Sequence, residues 1–158
     1  MMTEIRLADL ASEQDRQAIS QLLLEYAATL NSRLATVPAA IIDGLRESGI
    51  SHVWLAWKHD LPVGLAIGLR GFSTFRGRPL LNIHDLAVAA SHRDQGIGTA
   101  LLTQIARDAA QLGYCKLTLE VRADNPRAEQ LYRRNGFTDP AGCRNQFLER
   151  DLDLNLPS

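Results

Sequence analysis

From Val88 to Thr99 the chain reads Val88-Ala89-Ala90-Ser91-His92-Arg93-Asp94-Gln95-Gly96-Ile97-Gly98-Thr99, the end of an apolar strand running into a glycine-containing turn and then a helix. The first amides of a helix lack internal acceptors and carry a partial positive charge, and glycine lets main chain come close to a ligand. Such a segment suits a phosphate or pyrophosphate. The third glycine of a dinucleotide-binding fingerprint is absent, because Leu101 stands there, and no Gly-Lys-Ser/Thr follows. NAD and ATP are therefore disfavoured. Two glycines in a tight strand-to-helix connection also arise for packing reasons alone, so the company they keep must decide.

Composition narrows the classes. A chain of 158 residues, 46% hydrophobic and 22% charged, is enough for one buried core, and a single domain over 1–158 is expected. Lys and Arg number 17 against 18 Asp and Glu, without the basic excess of a nucleic-acid binder. Apolar runs such as Leu22–Leu24 and Leu65–Ile67 are far shorter than a membrane span, and the start lacks the charged and apolar regions of a signal peptide. No nucleic acid, no membrane and a cytoplasmic location are the expectations. Cys115 and Cys143 are too few for a disulfide framework and read as reduced, partly buried thiols. Residues 1–60 carry five basic and eight acidic groups, whereas 91–134 carry seven and five. An anionic ligand would prefer the later stretch and a cationic one the earlier, although a solvated surface explains so small an asymmetry as well.

The elements that position the loop follow from periodicity. Residues 12–31 space Ile19, Leu22, Leu23, Tyr26, Ala27 and Leu30 as an amphipathic helix, with Ser12 and Asp15 suited to its first turn. A short helix is expected from Pro38 to about Glu47. Segments 52–59 and 63–72, joined by a turn at Asp60-Leu61-Pro62, suggest an antiparallel hairpin, and Leu80–Val88 a further strand. Gly96–Leu112 is the central helix, ended by Gly113. A strand at Lys116–Val121, a helix from Asn125-Pro126 to Gly136, and closing strands at Phe137–Thr138 and Asn145–Leu154 complete the order. Two helices, three strands, helix, strand, helix, strands make an α/β fold, a mixed sheet covered on both faces.

The loop Arg93-Asp94-Gln95-Gly96-Ile97-Gly98, preceded by Ile83-His84-Asp85-Leu86-Ala87-Val88, resembles the Arg/Gln-x-x-Gly-x-Gly/Ala loop of the GNAT superfamily of N-acetyltransferases. Downstream, Leu117-Thr118-Leu119-Glu120-Val121, Asn125, Ala128, Leu131-Tyr132 and Gly136-Phe137 resemble that family's second cofactor motif. The resemblance covers about residues 80–138. It implies a mostly antiparallel central sheet in which the strands at 80–88 and 116–121 splay apart, helices on both faces, and acetyl-CoA (coenzyme A) as acetyl donor. It further implies that main-chain groups of Leu86, Ala87 and Val88 bond the pantetheine arm and acetyl carbonyl, that amides from Arg93, Asp94, Gln95, Gly96, Ile97, Gly98 and Thr99 take the pyrophosphate, and that Asn125 bonds the arm. Asn before Pro at a helix start is equally a cap.

The same resemblance makes Tyr132 the acid that protonates the departing sulfur, with Ala128 clearing space one turn earlier. A phenol with a pKa of about 10 keeps its proton at neutral pH and so has one to give to the departing thiolate, whose thiol has a pKa of about 8.5. An alkylamine with a pKa of about 10.4 must lose a proton first, at a cost of roughly 4.6 kcal/mol at pH 7. Asp85, Glu120 and His84, on the two splayed strands, are the candidate bases, directly or through water, each with a structural hydrogen-bond role as the alternative. Asn82 stands where some relatives carry a glutamate base, Ala90 where many have proline, and Asp94 where a small or basic residue would suit phosphate better. His52, His59 and His92 read as surface residues, and no metal is implied. Tyr26, Trp54, Trp57, Phe72 and Phe75, with Arg70, Arg76 and Arg78, flank the acceptor side in such a fold, though core packing or a homodimer contact explains the aromatics too. The acceptor is an amine of a small molecule or peptide. The alternatives are a catalytically degenerate CoA-binding sensor and a structural or interaction protein.

Overall fold

The computed structural model describes residues 2–30, 32 and 35–140. In chain order they form β1 (Glu4–Leu7), α1 (Glu13–Thr29), α2 (Ala39–Ser48), β2 (Ser51–Lys58), β3 (Leu61–Ser73), β4 (Arg78–Val88), a short 3-10 turn (Ala90–His92), α3 (Ile97–Gln111), β5 (Leu117–Leu119) and α4 (Pro126–Arg134). The strands make one sheet in the order β1-β2-β3-β4-β5, antiparallel throughout except for the parallel pair β4 and β5. This is the mixed α/β architecture with a mostly antiparallel sheet.

Helices cover both faces. On one, α3 buries Ile97, Leu101, Leu102, Ile105 and Ala109 against Trp54, Ala56, Ala66, Leu81 and Ile83, with Leu131 and Tyr132 of α4 packed alongside. On the other, Ala18, Ile19 and Leu22 of α1 and Ile42 of α2 meet Val53, Leu55, Leu65 and Ile67. Both sets of helical residues recur at three- and four-residue spacing, which is why the helices were legible. Trp54 lies fully buried, and its indole N–H donates to Asp108 of α3 at 2.7 Å, so the sheet and helix are tied by a satisfied polar contact inside the core.

Three details depart from the pattern of the sequence. Glu4–Leu7 is a strand, paired with Trp54–Trp57 of β2; four residues are too few to announce a period, and pairing supplies what propensity does not. The hairpin turn is His59-Asp60, with His59 at a φ of 54°, and Leu61 and Pro62 already belong to β3. Pro62 is tolerated because the register shifts opposite it, between Ala56 and Trp57. His52 is no free surface residue; it is half-buried and its Nε2 lies 2.7 Å from the Tyr114 hydroxyl. Phe137–Thr138 shows no strand pairing among the described residues, and Asn145–Leu154, like Cys143, lies outside them.

One ion pair, with its carboxylate buried and its guanidinium 38% exposed, ties β1 to α1. Asp15, 1% exposed, accepts both guanidinium nitrogens of Arg6 at 2.7 Å and the Asp9 amide at 2.7 Å. The Arg6 hydrogen bonds hold the Asp15 carboxyl below its ordinary value of 3.8, against the opposing effect of burial. Arg6→Ala would leave that carboxylate buried without its partner and is expected to destabilise the fold by about 3 kcal/mol at neutral pH. Because the folded-state pKa is depressed, the contribution is present above pH 3.8 and lost as pH falls through the lowered value. Urea unfolding of the two proteins should therefore differ at pH 7 and converge in acid; equal midpoints at pH 7 would show the pair to be dispensable.

Candidate active site

β4 holds β5 over only three positions, Leu81 to Leu117, Asn82 to Thr118 and Ile83 to Leu119. From His84 to Val88 it continues beside β3 alone among the described residues, so its other edge presents unpaired main-chain groups. The parting coincides with a bulge, for Gly68 opposes Ile83 and the next residue of β3, Ile67, opposes Asp85, which leaves His84 as the extra residue. A bulge reverses the alternation beyond it. Ile83 faces the α3 core, and strict alternation would send Asp85 there too; instead Asp85 shares the α1 side with Ile67. At the fork itself Asn82 donates to Thr118 Oγ1 at 3.0 Å and to both carboxylate oxygens of Glu120 at 3.3 and 3.2 Å, stapling the two strands where they separate.

Beyond β4 the chain makes its 3-10 turn and enters α3 through two left-handed residues, Asp94 at φ 60° and Gly96 at φ 79°. Ala100 is the first amide of α3 with an acceptor, the Gly96 carbonyl at 3.0 Å, and among the described residues the amides of Asp94 to Thr99 donate to none. Side chains around them are drawn aside. Arg93 Nε reaches back to the Val88 carbonyl at 3.3 Å, Gln95 is held by Lys58 and the Ser91 carbonyl, and Asp94 pairs with Arg127 of α4 at 2.7 Å, which offsets its negative charge. A Cβ added to Gly96 would meet nothing within 4 Å, whereas one on Gly98 would lie 2.9 Å from Leu131. Gly96 thus shapes an open concavity of amides, and Gly98 lets α4 close onto α3. The residues present fit a diphosphate. The Ala90 amide, which proline would remove, donates to Glu25 of α1 at 2.6 Å.

α4 is set by its cap, Asn125 Oδ1 accepting the Ala128 amide at 3.2 Å, with Pro126 at the first position. It carries Tyr132 inward, edge-on to Phe137 with ring centres 5.9 Å apart. Burial pushes the Tyr132 hydroxyl above its ordinary value of 10.0, and the charges of Tyr26 and Asp85 add to the effect. Burial likewise raises Asp85 above 3.8, with His84 opposing, and raises Tyr26, with Asp85 adding. Three elements, α1, β4 and α4, thereby bring Tyr26, Asp85 and Tyr132 within electrostatic reach of one another. Asp85, His84 and Tyr26 line a cavity of about 300 Å³ between α1, α2, β3 and β4. Glu120 stays exposed at the strand fork and outside that lining, and His84 is more exposed than Asp85. A wider, open depression of about 550 Å³ beyond the β2–β3 turn, bounded by Lys58, His59 and His92, contains none of the three grouped side chains.

Tyr26, which the sequence offers both as a core residue of its helix and as one that flanks the acceptor side, lies in the lining of the cavity with Asp85. The Glu25 contact to Ala90 and the Asp94–Arg127 pair were silent in the sequence, being contacts between elements distant in the chain. Among the described residues no cluster of three or more His, Cys, Asp or Glu could hold a metal ion, and no helix is long and apolar enough to cross a membrane.

Known proteins resemble this chain in sequence and in fold. Thialysine N-epsilon-acetyltransferase of Bos taurus is 29% identical over 125 residues, covering 74% of this chain and 73% of that protein. Ribosomal protein bS18-alanine N-acetyltransferase of Escherichia coli K12 is 35% identical over 69 residues, 44% of this chain and 47% of that one. A probable N-acetyltransferase family 8 member 5 of Mus musculus is 33% identical over 84 residues, 53% and 37%. The chain thus matches 73% of the bovine protein and less than half the length of the other two. In fold it superposes on a ribosomal-protein-alanine N-acetyltransferase of Brucella melitensis with a TM-score of 0.78 at 20% identity, covering 96% of this chain and all of that one. An aminoglycoside acetyltransferase from an uncultured soil metagenomic sample, in complex with sisomicin, gives 0.77 at 19%, covering 96% of each. The sequence model of the acetyltransferase (GNAT) family matches residues 16–137. With that match over most of its length, and with the parted strands and amide-lined helix entry described above, the chain belongs to the GNAT acetyltransferase family.

Proposed function

We propose that this protein is an acetyl-CoA-dependent N-acetyltransferase in which an amine attacks the thioester directly, without an acyl-enzyme. The observation that carries the reading is a helix entry whose amides from Asp94 to Thr99 lack acceptors among the described residues, beside the edge of β4 that has left β5. Amides from Asp94 to Thr99 would hold the diphosphate, the Arg93 amide being bonded to the Ala90 carbonyl, while main-chain groups of Leu86, Ala87 and Val88 would hold the pantetheine arm, and Asn125 and Ala128 would border it on α4. Bound there, acetyl-CoA supplies an acetyl group activated as a thioester.

Asp85 is the base. An ammonium entering the cavity meets a carboxylate whose pKa burial has raised toward that of the amine, which reduces the uphill cost of the proton transfer. His84 lines the same cavity but is more exposed than Asp85, and Glu120 is exposed and outside that lining. Tyr132 holds the proton that the departing sulfur needs; its raised pKa keeps the hydroxyl protonated across the working pH range.

Calorimetry with acetyl-CoA followed by a thiol-release assay over a panel of amines tests the proposal. Binding without release from any amine would favour a sensor instead. Tyr132→Phe is expected to lower kcat by about 10²-fold, the low end for a general acid, because a thiolate leaves tolerably well unaided. The dissociation constant of acetyl-CoA should stay unchanged. Wild-type turnover in that variant would remove Tyr132 from the chemistry.

A further inference from the structure

The cavity beside Asp85 has a composition that discriminates among amines. Of its twelve lining residues eight are aliphatic, among them Leu23, Ile41, Leu45 and Leu69, and the one carboxylate of that lining is Asp85. It is framed by α1, α2 and β3, elements that the amide cradle does not use. We propose that this cavity is the acceptor pocket and that it selects small monoamines carried on an apolar body, in preference to polycationic or polyhydroxylated amines. The inference rests on the acetyltransferase reading and extends it to a substrate class.

Charge complementarity sets the orientation. The amine goes to Asp85, which shares the lining with Tyr26, and the remainder of the molecule lies along the hydrocarbon walls. A volume of about 300 Å³ corresponds to roughly ten water-sized atoms, which suits a hexyl or phenylethyl group and not a three-ring aminoglycoside. A second ammonium on the same ligand would be stripped of water against Leu23 or Leu69 without a counter-charge, and hydroxyls would lose hydrogen bonds those walls do not return. An apolar tail instead gains from the transfer, by about three- to fourfold in kcat/KM for each methylene buried.

The test is a homologous series of primary amines from ethylamine to octylamine, with phenylethylamine, spermidine and kanamycin, assayed by thiol release on the full chain. The expected result is a kcat/KM that climbs about three- to fourfold per methylene and levels off once the cavity is full, with spermidine and kanamycin below hexylamine. Ala27→Phe, which adds bulk to the lining from α1, should flatten the climb at a shorter chain length while acetyl-CoA binds with wild-type affinity. Ile41→Trp, at a position 40% exposed on α2, makes the same check where the backbone is under less constraint. A flat or falling series, or kanamycin or spermidine ahead of hexylamine, overturns the pocket assignment and leaves acetyl transfer standing. No acetyl-CoA binding and no thiol release from any amine overturns the enzyme reading itself, and the pocket with it.

Discussion

Asp85→Asn is expected to lower kcat by about 10²- to 10⁴-fold, the range over which a positioned general base acts, while the dissociation constant of acetyl-CoA stays within about twofold of wild type. The substitution keeps the size and shape of the side chain and removes the ability to take a proton. It should also raise the melting temperature at neutral pH. Burial lifts the folded-state pKa of Asp85 above 3.8, so the stability tied to its protonation is complete below the unfolded-state value and lost as pH rises through the folded one. A permanently neutral asparagine avoids that loss. For the same reason the acid limb of the wild-type kcat/KM profile should fall above the ordinary aspartate range and disappear in the variant. A variant with wild-type kcat and an unaltered acid limb would transfer the base to Glu120, His84 or water; a lower melting temperature would mean that Asp85 is held by contacts worth more than its desolvation costs.

Gly96→Val should abolish measurable acetyl-CoA binding. Gly96 sits at φ 79°, where a β-branched residue is a steric outlier, so the loop must rearrange although there is room for the side chain. A rearranged loop no longer converges its amides. Losing two hydrogen bonds to a charged ligand, each about 1.5–3 kcal/mol, weakens binding by about 10²- to 10⁴-fold. Gly98→Ala provides the contrast, because its Cβ would press on the end of the Leu131 side chain, which can move, and the helix-entry conformation would survive. Calorimetry should show the first variant silent and the second close to wild type. Undiminished binding by Gly96→Val would mean that the diphosphate is held elsewhere.

Physical reasons divide what was legible from what was not. The helix face of Ile97, Leu101 and Ile105, the strand leading into Gly96 and the capped start at Asn125-Pro126 all depend on residues within a few positions of one another, and each stood clear in the sequence. Gly98 reads in the sequence as part of the phosphate loop or of a tight connection; its contact with Leu131, which lets α4 approach α3, depends on a residue more than thirty positions away. β1 escaped notice because a four-residue strand exists only through its partner in β2.

The amino-acid order by itself determined the α/β class, the loop that can receive a diphosphate and the residue types available for proton transfer, since these follow from local spacing and intrinsic chemistry. Tertiary structure alone decided that Asp85 and His84 line the cavity while Glu120 does not, and that Asp85 is the more buried of the two. One extra residue at His84 reverses the alternation of β4 and turns Asp85 from the core of α3 toward α1, where it lines the cavity with Tyr26. A register shift of that kind is fixed by the fit of β4 against β3 and by the parting from β5, a property of three strands together that no single stretch of the chain encodes.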